Sequence, residues 1–197
     1  IGYQNRPHIF DRHIVLPELL YSSVVEVDER IGAHGETVVP LNVAATTIAL
    51  KAAWDNGFRS IAVVLMHGYR YHQHEVDIAE LAQIAGFAQI SVSHQASPLM
   101  KIVSRGDTTV VDAYLSPVLR HYVSQVAIEL PGCKVMFMQS NGGLTDANKF
   151  QGKDAILSGP AGGIIGMVRT AAVAEFSKII GFDMGGTSTD VSHYAGE

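Results

Sequence analysis

The sequence predicts an α/β fold, and three observations carry that prediction. A continuous apolar run, Ser60 to Met66, has the β-branched character and the lack of alternation of a strand covered on both faces. A helical period over His74 to Ala85 and a second short strand, Ala88 to Ser93, follow it, so a β-α-β unit with a right-handed crossover is expected. Further along, the glycine pairs Gly142-Gly143, Gly162-Gly163 and Gly185-Gly186 each follow an apolar, strand-like segment. In open α/β sheets such loops gather at the carboxyl ends of the strands, where ligands bind.

Composition bounds the function classes. The chain has 197 residues, 47% hydrophobic and 17% charged, which describes an ordinary globular core of one or two domains. A net charge of -5 with scattered Lys and Arg leaves no electrostatic footprint for nucleic acid. Apolar runs such as Ile61 to Met66 fall far short of the roughly 20 residues that span a bilayer, so no membrane partner is expected. The single cysteine, Cys133, excludes an intrachain disulfide framework and agrees with a reducing, cytoplasmic setting, and an inert buried thiol is expected there. The chain begins at Ile1 without Met and stops at Glu197, a few residues past the last glycine pair, and so reads as an internal piece of a longer protein.

The elements follow in order. Residues 1 to 23, with Arg6-Pro7 and Leu16-Pro17, read as loop. Val24 to Arg30 alternates like a strand, Gly32 to Glu36 turns, and Thr37 to Leu41 returns, so a hairpin is expected. Asn42 caps a packing helix with Ala45, Ile48, Ala49, Ala52 and Ala53 on one face, closed by Asn56-Gly57; Trp54 within it reads as core or interface. After the β-α-β unit, Ser97-Pro98 and Arg105-Gly106-Asp107 mark a composition shift, and a domain boundary is placed between 96 and 97. Thr108 to Leu130 carries a strong helical pattern that Pro117 is expected to kink or break near Ser116. Lys134 to Met138 reads as a strand with the loop Gln139 to Gly143 at its end, Ala155 to Leu157 as a short strand, Ser158 to Gly163 as a loop, Ile164 to Phe176 as a helix and Ile179 to Phe182 as a strand.

The chemistry concentrates in Asp183-Met184-Gly185-Gly186-Thr187-Ser188-Thr189-Asp190, before Val191 to Tyr194. Paired glycines remove the Cβ atoms that keep phosphate from backbone N–H groups, and Thr187, Ser188 and Thr189 add hydroxyl donors. Carboxylates flanking a phosphate cradle repel the ligand unless a divalent cation lies between, so Asp183 and Asp190 point to Mg²⁺ with a nucleotide. A plain hairpin with Gly-Gly at its tip is the alternative. In Ser158 to Gly166, Ser158 reads as a cap and Pro160 as an early helical residue, with glycines that let phosphate approach the N–H groups or let a helix pack closely. Ser140 to Gly143 reads as either a third ligand loop or a simple turn. His67, His72, His74 and His94 match no closed zinc spacing and suit local hydrogen bonds better. No Ser-His-Asp signature is present in the sequence.

Gln139-Ser140-Asn141-Gly142-Gly143-Leu144, Leu157-Ser158-Gly159-Pro160-Ala161-Gly162-Gly163 and Phe182 to Val191, in this order, closely resemble the hydantoinase A / 5-oxoprolinase family, which includes a subunit of acetone carboxylase. The likeness extends to Asn5-Arg6-Pro7, Val25 to Arg30, His67 with His74-Glu75, and Asp112 to Leu115. It implies a ribonuclease-H-like core of the actin, sugar-kinase and Hsp70 type, here incomplete. Residues 1–96 would be the C-terminal part of the N-terminal region, and residues 97–197 the start of the hydantoinase A domain. It implies an ATP-dependent hydrolase that activates a cyclic amide, hydantoin or 5-oxoproline, by phosphorylating its oxygen, with a hydantoinase B-like second subunit or domain as partner. An ATP-dependent carboxylase subunit and a non-enzymatic nucleotide-binding module are the alternatives. On this resemblance Asp183 and Asp190 are the catalytic and metal-organising carboxylates. Gly185, Gly186, Thr187, Ser188 and Thr189 hold phosphate, and Gly162, Gly163, Asn141, Gly142 and Gly143 neighbour the nucleotide. Family members open with a further Gly-Gly-Thr hairpin that this chain lacks, their adenosine segment would lie beyond Glu197, and Tyr71-His72 stands where an Asn-Pro pair is common. The piece alone is therefore expected to be inactive.

Overall fold

A computed structural model of the chain describes Phe10, Arg12, His13 and residues 18–196. The Asn5-Arg6-Pro7 likeness and the Leu16-Pro17 loop lie outside these residues. The chain divides into two compact units, Ile1–Val118 and Leu119–Glu197. The division falls later than the composition shift near residue 97.

The first unit is built on the expected β-α-β segment. Strand β3 (Ser60–Val63) pairs in parallel with β4 (Gln89–Val92), and α2 (Gln73–Ala85) joins them. Val63, Val92 and Ile78 of α2 form its buried centre, with Ile61, Leu65, Ile90 and Ala79 packed against them. Gly86 takes φ 100° and closes α2 as the sequence suggests, its N–H and that of Phe87 both reaching Ala82 O. β3 stops three residues sooner than its apolar run, because Leu65 N–H and the Leu65 and Met66 carbonyls bond to side chains instead of to a neighbouring strand.

The hairpin before it is short: β1 (Arg30–Ile31) and β2 (Thr37–Val39) pair antiparallel, and residues 24–29 join no ladder among the described residues. Helix α1 (Val43–Asp55) is capped by Asn42, whose Oδ1 accepts the Ala45 N–H at 3.1 Å. Its buried residue is Thr46, whereas Ile48, expected on the packed face, is 72% exposed. Trp54 meets Phe87 edge-on at 5.7 Å while the Arg59 guanidinium lies 3.6 Å over its ring, tying the ends of α1 and α2 to the start of β3.

Pro117 does not break its helix. After the short α3 (Ser93–Ala96), α4 runs unbroken from Ile102 to Glu129. Proline deprives the carbonyl four residues back, that of Ala113, of its usual donor. The Ser60 hydroxyl at the start of β3 donates to that same carbonyl, so the orphaned acceptor is filled from outside the helix. After α4, Gly132 (φ 79°) turns the chain and leaves Cys133 exposed, contrary to the buried thiol expected.

In the second unit β5 (Met136–Met138) pairs antiparallel with β6 (Leu144–Asp146), and a 3₁₀ turn (Ala147–Lys149) and α5 (Gly152–Ala155) follow. No strand forms at residues 155–157. Helix α6 runs Ser158–Val173, so it starts six residues earlier than the sequence suggests. Its end carries Glu175 at φ 63°, a left-handed position usually given to glycine. β7 (Ile179–Met184) and β8 (Thr189–Tyr194) form the expected antiparallel hairpin.

Ser60→Ala is expected to cost about 1–3 kcal/mol in chemical denaturation, the penalty of one buried unpaired acceptor. Pro117→Ala restores an N–H to Ala113 O, so the same serine change in that background should cost clearly less. Equal costs in both backgrounds would refute the compensation.

Candidate nucleotide-binding wall

α6 organises the second unit and packs against β5, β7 and β8. A Cβ on Gly162 would lie 3.6 Å from Met138 Cγ of β5, and one on Gly163 would lie 3.6 Å from Asp183 Oδ2 of β7. Gly142, at φ 81°, lies under Ile165 of α6, whose side-chain carbons would stand 3.4 Å from a Cβ there. The Gly142 turn and Asp183, which leads to the Gly185-Gly186 loop, therefore both lie beside the first half of one helix. Gly162 and Gly163 belong to that helix itself, in its second turn, and not to a loop before it.

The Gln139 to Gly143 turn is held by its own groups: Asn141 Oδ1 accepts the Gly143 N–H at 2.8 Å, and Gln139 N–H donates to Gly143 O at 2.8 Å. Ser140 joins this turn to α6. Its hydroxyl donates to Asp154 O at 2.7 Å and accepts the Leu157 N–H at 2.9 Å. Ser158 does not cap, because its hydroxyl donates to Ala155 O at 2.8 Å. The N–H groups of Ser158 and Gly159 have no acceptor within the helix, which gives this end its positive dipole.

Asp183 and Asp190 are directly opposed in the β7–β8 ladder, one step before the Met184–Thr189 pair that opens the loop Gly185 to Ser188. Directly opposed residues of an antiparallel pair project on one face, so two like charges stand together, an arrangement that costs stability without a counter-charge. Both carboxylates are exposed, as are Gly185, Gly186, Thr187, Ser188 and Thr189, while the Gly185 N–H closes the loop onto Ser188 O at 2.9 Å. Two accessible carboxylates beside free loop donors suit Mg²⁺, which keeps several waters and takes one or two protein carboxylates together with phosphate oxygens. No group of three or more His, Cys, Asp or Glu that could hold a metal occurs among the described residues.

Two contacts behind this wall carry no motif and escape a reading of the sequence. A Cβ on Gly181 would fall 2.0 Å from Met167 Sδ and 2.6 Å from Ser192 Oγ, so α6 lies directly on the bare backbone of β7. In the first unit two of the four candidate histidines have carboxylate partners: His74 Nδ1 lies 2.7 Å from Glu29 Oε2, and His94 Nδ1 lies 2.7 Å from Glu75 Oε2.

These features define an α/β unit whose glycine-hydroxyl hairpin packs on one helix, and comparison with known proteins identifies it further. The hydantoinase/oxoprolinase family matches residues 105–197, and the hydantoinase/oxoprolinase N-terminal region matches residues 1–86. The chain belongs to the hydantoinase/5-oxoprolinase family. It is 43% identical to 5-oxoprolinase 1 of Arabidopsis thaliana over 100% of its own length and 17% of that protein's. The ATP-dependent caprolactamase of Pseudomonas jessenii superposes with a TM-score of 0.74 at 28% identity, over 85% of this chain and 25% of that one. A nucleotide-free acetone carboxylase structure shares the fold with a TM-score of 0.75 at 24% identity, over 85% of this chain and 25% of its own. The chain thus spans about a sixth of the curated relative.

Gly181→Ala is expected to destabilise the protein by about 1–3 kcal/mol, the usual range for an overpacked site. Shortening the opposing side chain with Met167→Ala should recover part of that loss in a double-mutant cycle read by denaturation. Simple additivity of the two changes would show that they do not share this contact.

Proposed function

We propose that the chain forms one wall of the nucleotide site in an ATP-dependent cyclic-amide hydrolase of the hydantoin or 5-oxoproline type. The observation that carries this reading is the placing of the Gly142 turn and Asp183 beside Gly162 to Ile165 of α6, with Asp183 and Asp190 opposed at the mouth of the Gly185 to Ser188 loop. In this reading Gly186, Thr187, Ser188 and Thr189 give N–H and hydroxyl donors to the phosphates, and Gly185, whose N–H closes the loop, lets them approach. Gly162 and Gly163 let the nucleotide approach α6, and Asn141, Gly142 and Gly143 border it. Asp183 and Asp190 organise Mg²⁺, which would neutralise charge on the transferred phosphoryl group.

Transfer of the phosphoryl group to the amide oxygen turns a poor leaving group into a good one, and this is the role given to ATP. The 5-oxoprolinase and caprolactamase relatives support a lactam-type substrate. The same reading includes a ribonuclease-H-like, actin-type core completed by the rest of a longer protein, with regions meeting near residues 96 and 97. It also includes a hydantoinase B-like second subunit or domain, and a cytoplasmic setting. No helix among the described residues is long and apolar enough to cross a membrane. The carboxylase alternative is separated by assaying the intact protein with hydantoin, 5-oxoproline, and acetone plus bicarbonate.

Calorimetric titration of Mg-ATP into the intact protein is expected to show an affinity at least ~10-fold lower for Asp183→Ala, the loss of about 1.4 kcal/mol of binding. Equal affinity with and without Asp183 would remove the phosphate assignment. The isolated chain is expected to hydrolyse no cyclic amide, because it offers one wall only.

A further inference from the structure

A single hydroxyl in the second unit holds the turn from Gln139 to Gly143 against the entry to α6. Leu157, at the position just before α6, has no side-chain oxygen to cap the helix, and the Ser158 hydroxyl turns back to Ala155 O. The entry is tied down instead from 17 residues earlier in the chain. Ser140 Oγ accepts the Leu157 N–H at 2.9 Å and donates to Asp154 O at 2.7 Å, while the Ser140 N–H donates to the same carbonyl at 2.7 Å.

Without its hydroxyl, residue 140 would still give Asp154 O a donor through its backbone N–H. The hydroxyl is therefore needed for the link to α6 and not for the one to the end of α5. Farther along the same helix the turn touches again, where Gly142, at φ 81°, lies under Ile165. The two points stand about 12 Å apart along a helix axis. Contacts so far apart fix the direction of the turn against the helix, whereas one alone would leave it free to swing. Gly163, between these points, faces Asp183 of β7. Ser140 does not itself suit a phosphate contact, because its one hydroxyl hydrogen is already given to Asp154 O.

We infer that Ser140 is a positioning residue of the nucleotide site: its hydroxyl sets the Asn141-Gly142-Gly143 turn against α6, so that the turn, the helix and Asp183 present one fixed border to the nucleotide. The inference rests on the function proposed above and adds to it a residue that acts through others. The bond to Leu157 lies at the surface, where water replaces a lost partner, so its removal loosens the border without unfolding the protein.

The test uses the intact protein. Ser140→Ala should retain its thermal midpoint while calorimetric titration shows Mg-ATP binding weakened about fivefold, the scale of one surface hydrogen bond. Ser140→Thr, which keeps the hydroxyl, should bind Mg-ATP within about twofold of the unsubstituted protein. Should Ser140→Ala fail to fold, Ser140→Cys, whose thiol is a weak donor and a weak acceptor, takes its place with the same expected loss. Three results overturn the inference: unchanged Mg-ATP affinity in the folded variant, a loss that Ser140→Thr does not recover, or a loss matched by a fall in the thermal midpoint, as a merely structural role would give. A failure of the unsubstituted protein to bind Mg-ATP overturns the proposed function and this inference together, which tells the two failures apart.

Discussion

Glu75 and Arg105 are the constraint around which the first unit is arranged. Each is a charged side chain with no exposed surface, and removing either ion from water costs several kcal/mol before any compensation. The compensation is nearly complete. Besides Ser93, Arg105 donates to the carbonyls of Leu99 and Met100 at 2.6 and 3.0 Å and to those of Leu65 and Met66 at 2.6 and 3.1 Å. Burial lowers the pKa of the guanidinium, while Glu75 and Tyr69 act to raise it. The pair thereby ends β3, fixes the first residues after β4 and anchors the entry to α4. Gly68 belongs to the same arrangement, since a Cβ there would meet Glu75 Oε1 at 2.2 Å.

This arrangement explains what was legible in the sequence and what was not. The β-α-β unit, its Gly86 stop and the β7–β8 hairpin follow from local period and turn chemistry, and they stand close to where the sequence puts them. The end of β3 does not, because the apolar run continues to Met66 while the backbone leaves the ladder to satisfy Glu75 and Arg105. Neither charge announces its burial, since partners such as Leu65 and Arg105 are far apart along the chain. The Pro117 helix is a similar case. The donor that replaces its missing N–H is a serine 53 residues from the carbonyl it serves.

The start of α6 shows a local signal overruled by packing. Ser158-Gly159-Pro160-Ala161-Gly162-Gly163 has the composition of a loop, and each glycine costs roughly 1 kcal/mol in a helix relative to alanine. Tertiary contact offsets that cost. α6 packs against β5, β7 and β8, and the bare backbone of Gly181 accepts Met167 farther down the same helix. Of the two sequence readings of this segment, ligand loop or close packing, the structure adds that Gly162 and Gly163 lie within the helix, beside Met138 and Asp183. The candidate residues Asp183, Gly163, Gly162 and Gly142 were legible as types, but the helix that gathers them was not.

What this wall can do alone is limited by its exposure. Asp183, Asp190 and the loop from Gly185 to Thr189 face solvent, where charges 4 Å apart interact by only about 1 kcal/mol. Stabilising charge on a transferred phosphoryl group calls for a site from which water is excluded and in which donors are fixed beforehand. The hairpin also leaves apolar residues uncovered on the face opposite Asp183 and Asp190, with Phe182 67% and Ile180 74% exposed, and a two-stranded sheet is marginal without further packing. A layer over Phe182 and Ile180 would steady the strands from one side, whereas excluding water from Asp183 and Asp190 calls for cover on the other. The chemistry proposed for the carboxylates and the stability of the strands that carry them therefore call for contacts on opposite faces of one hairpin.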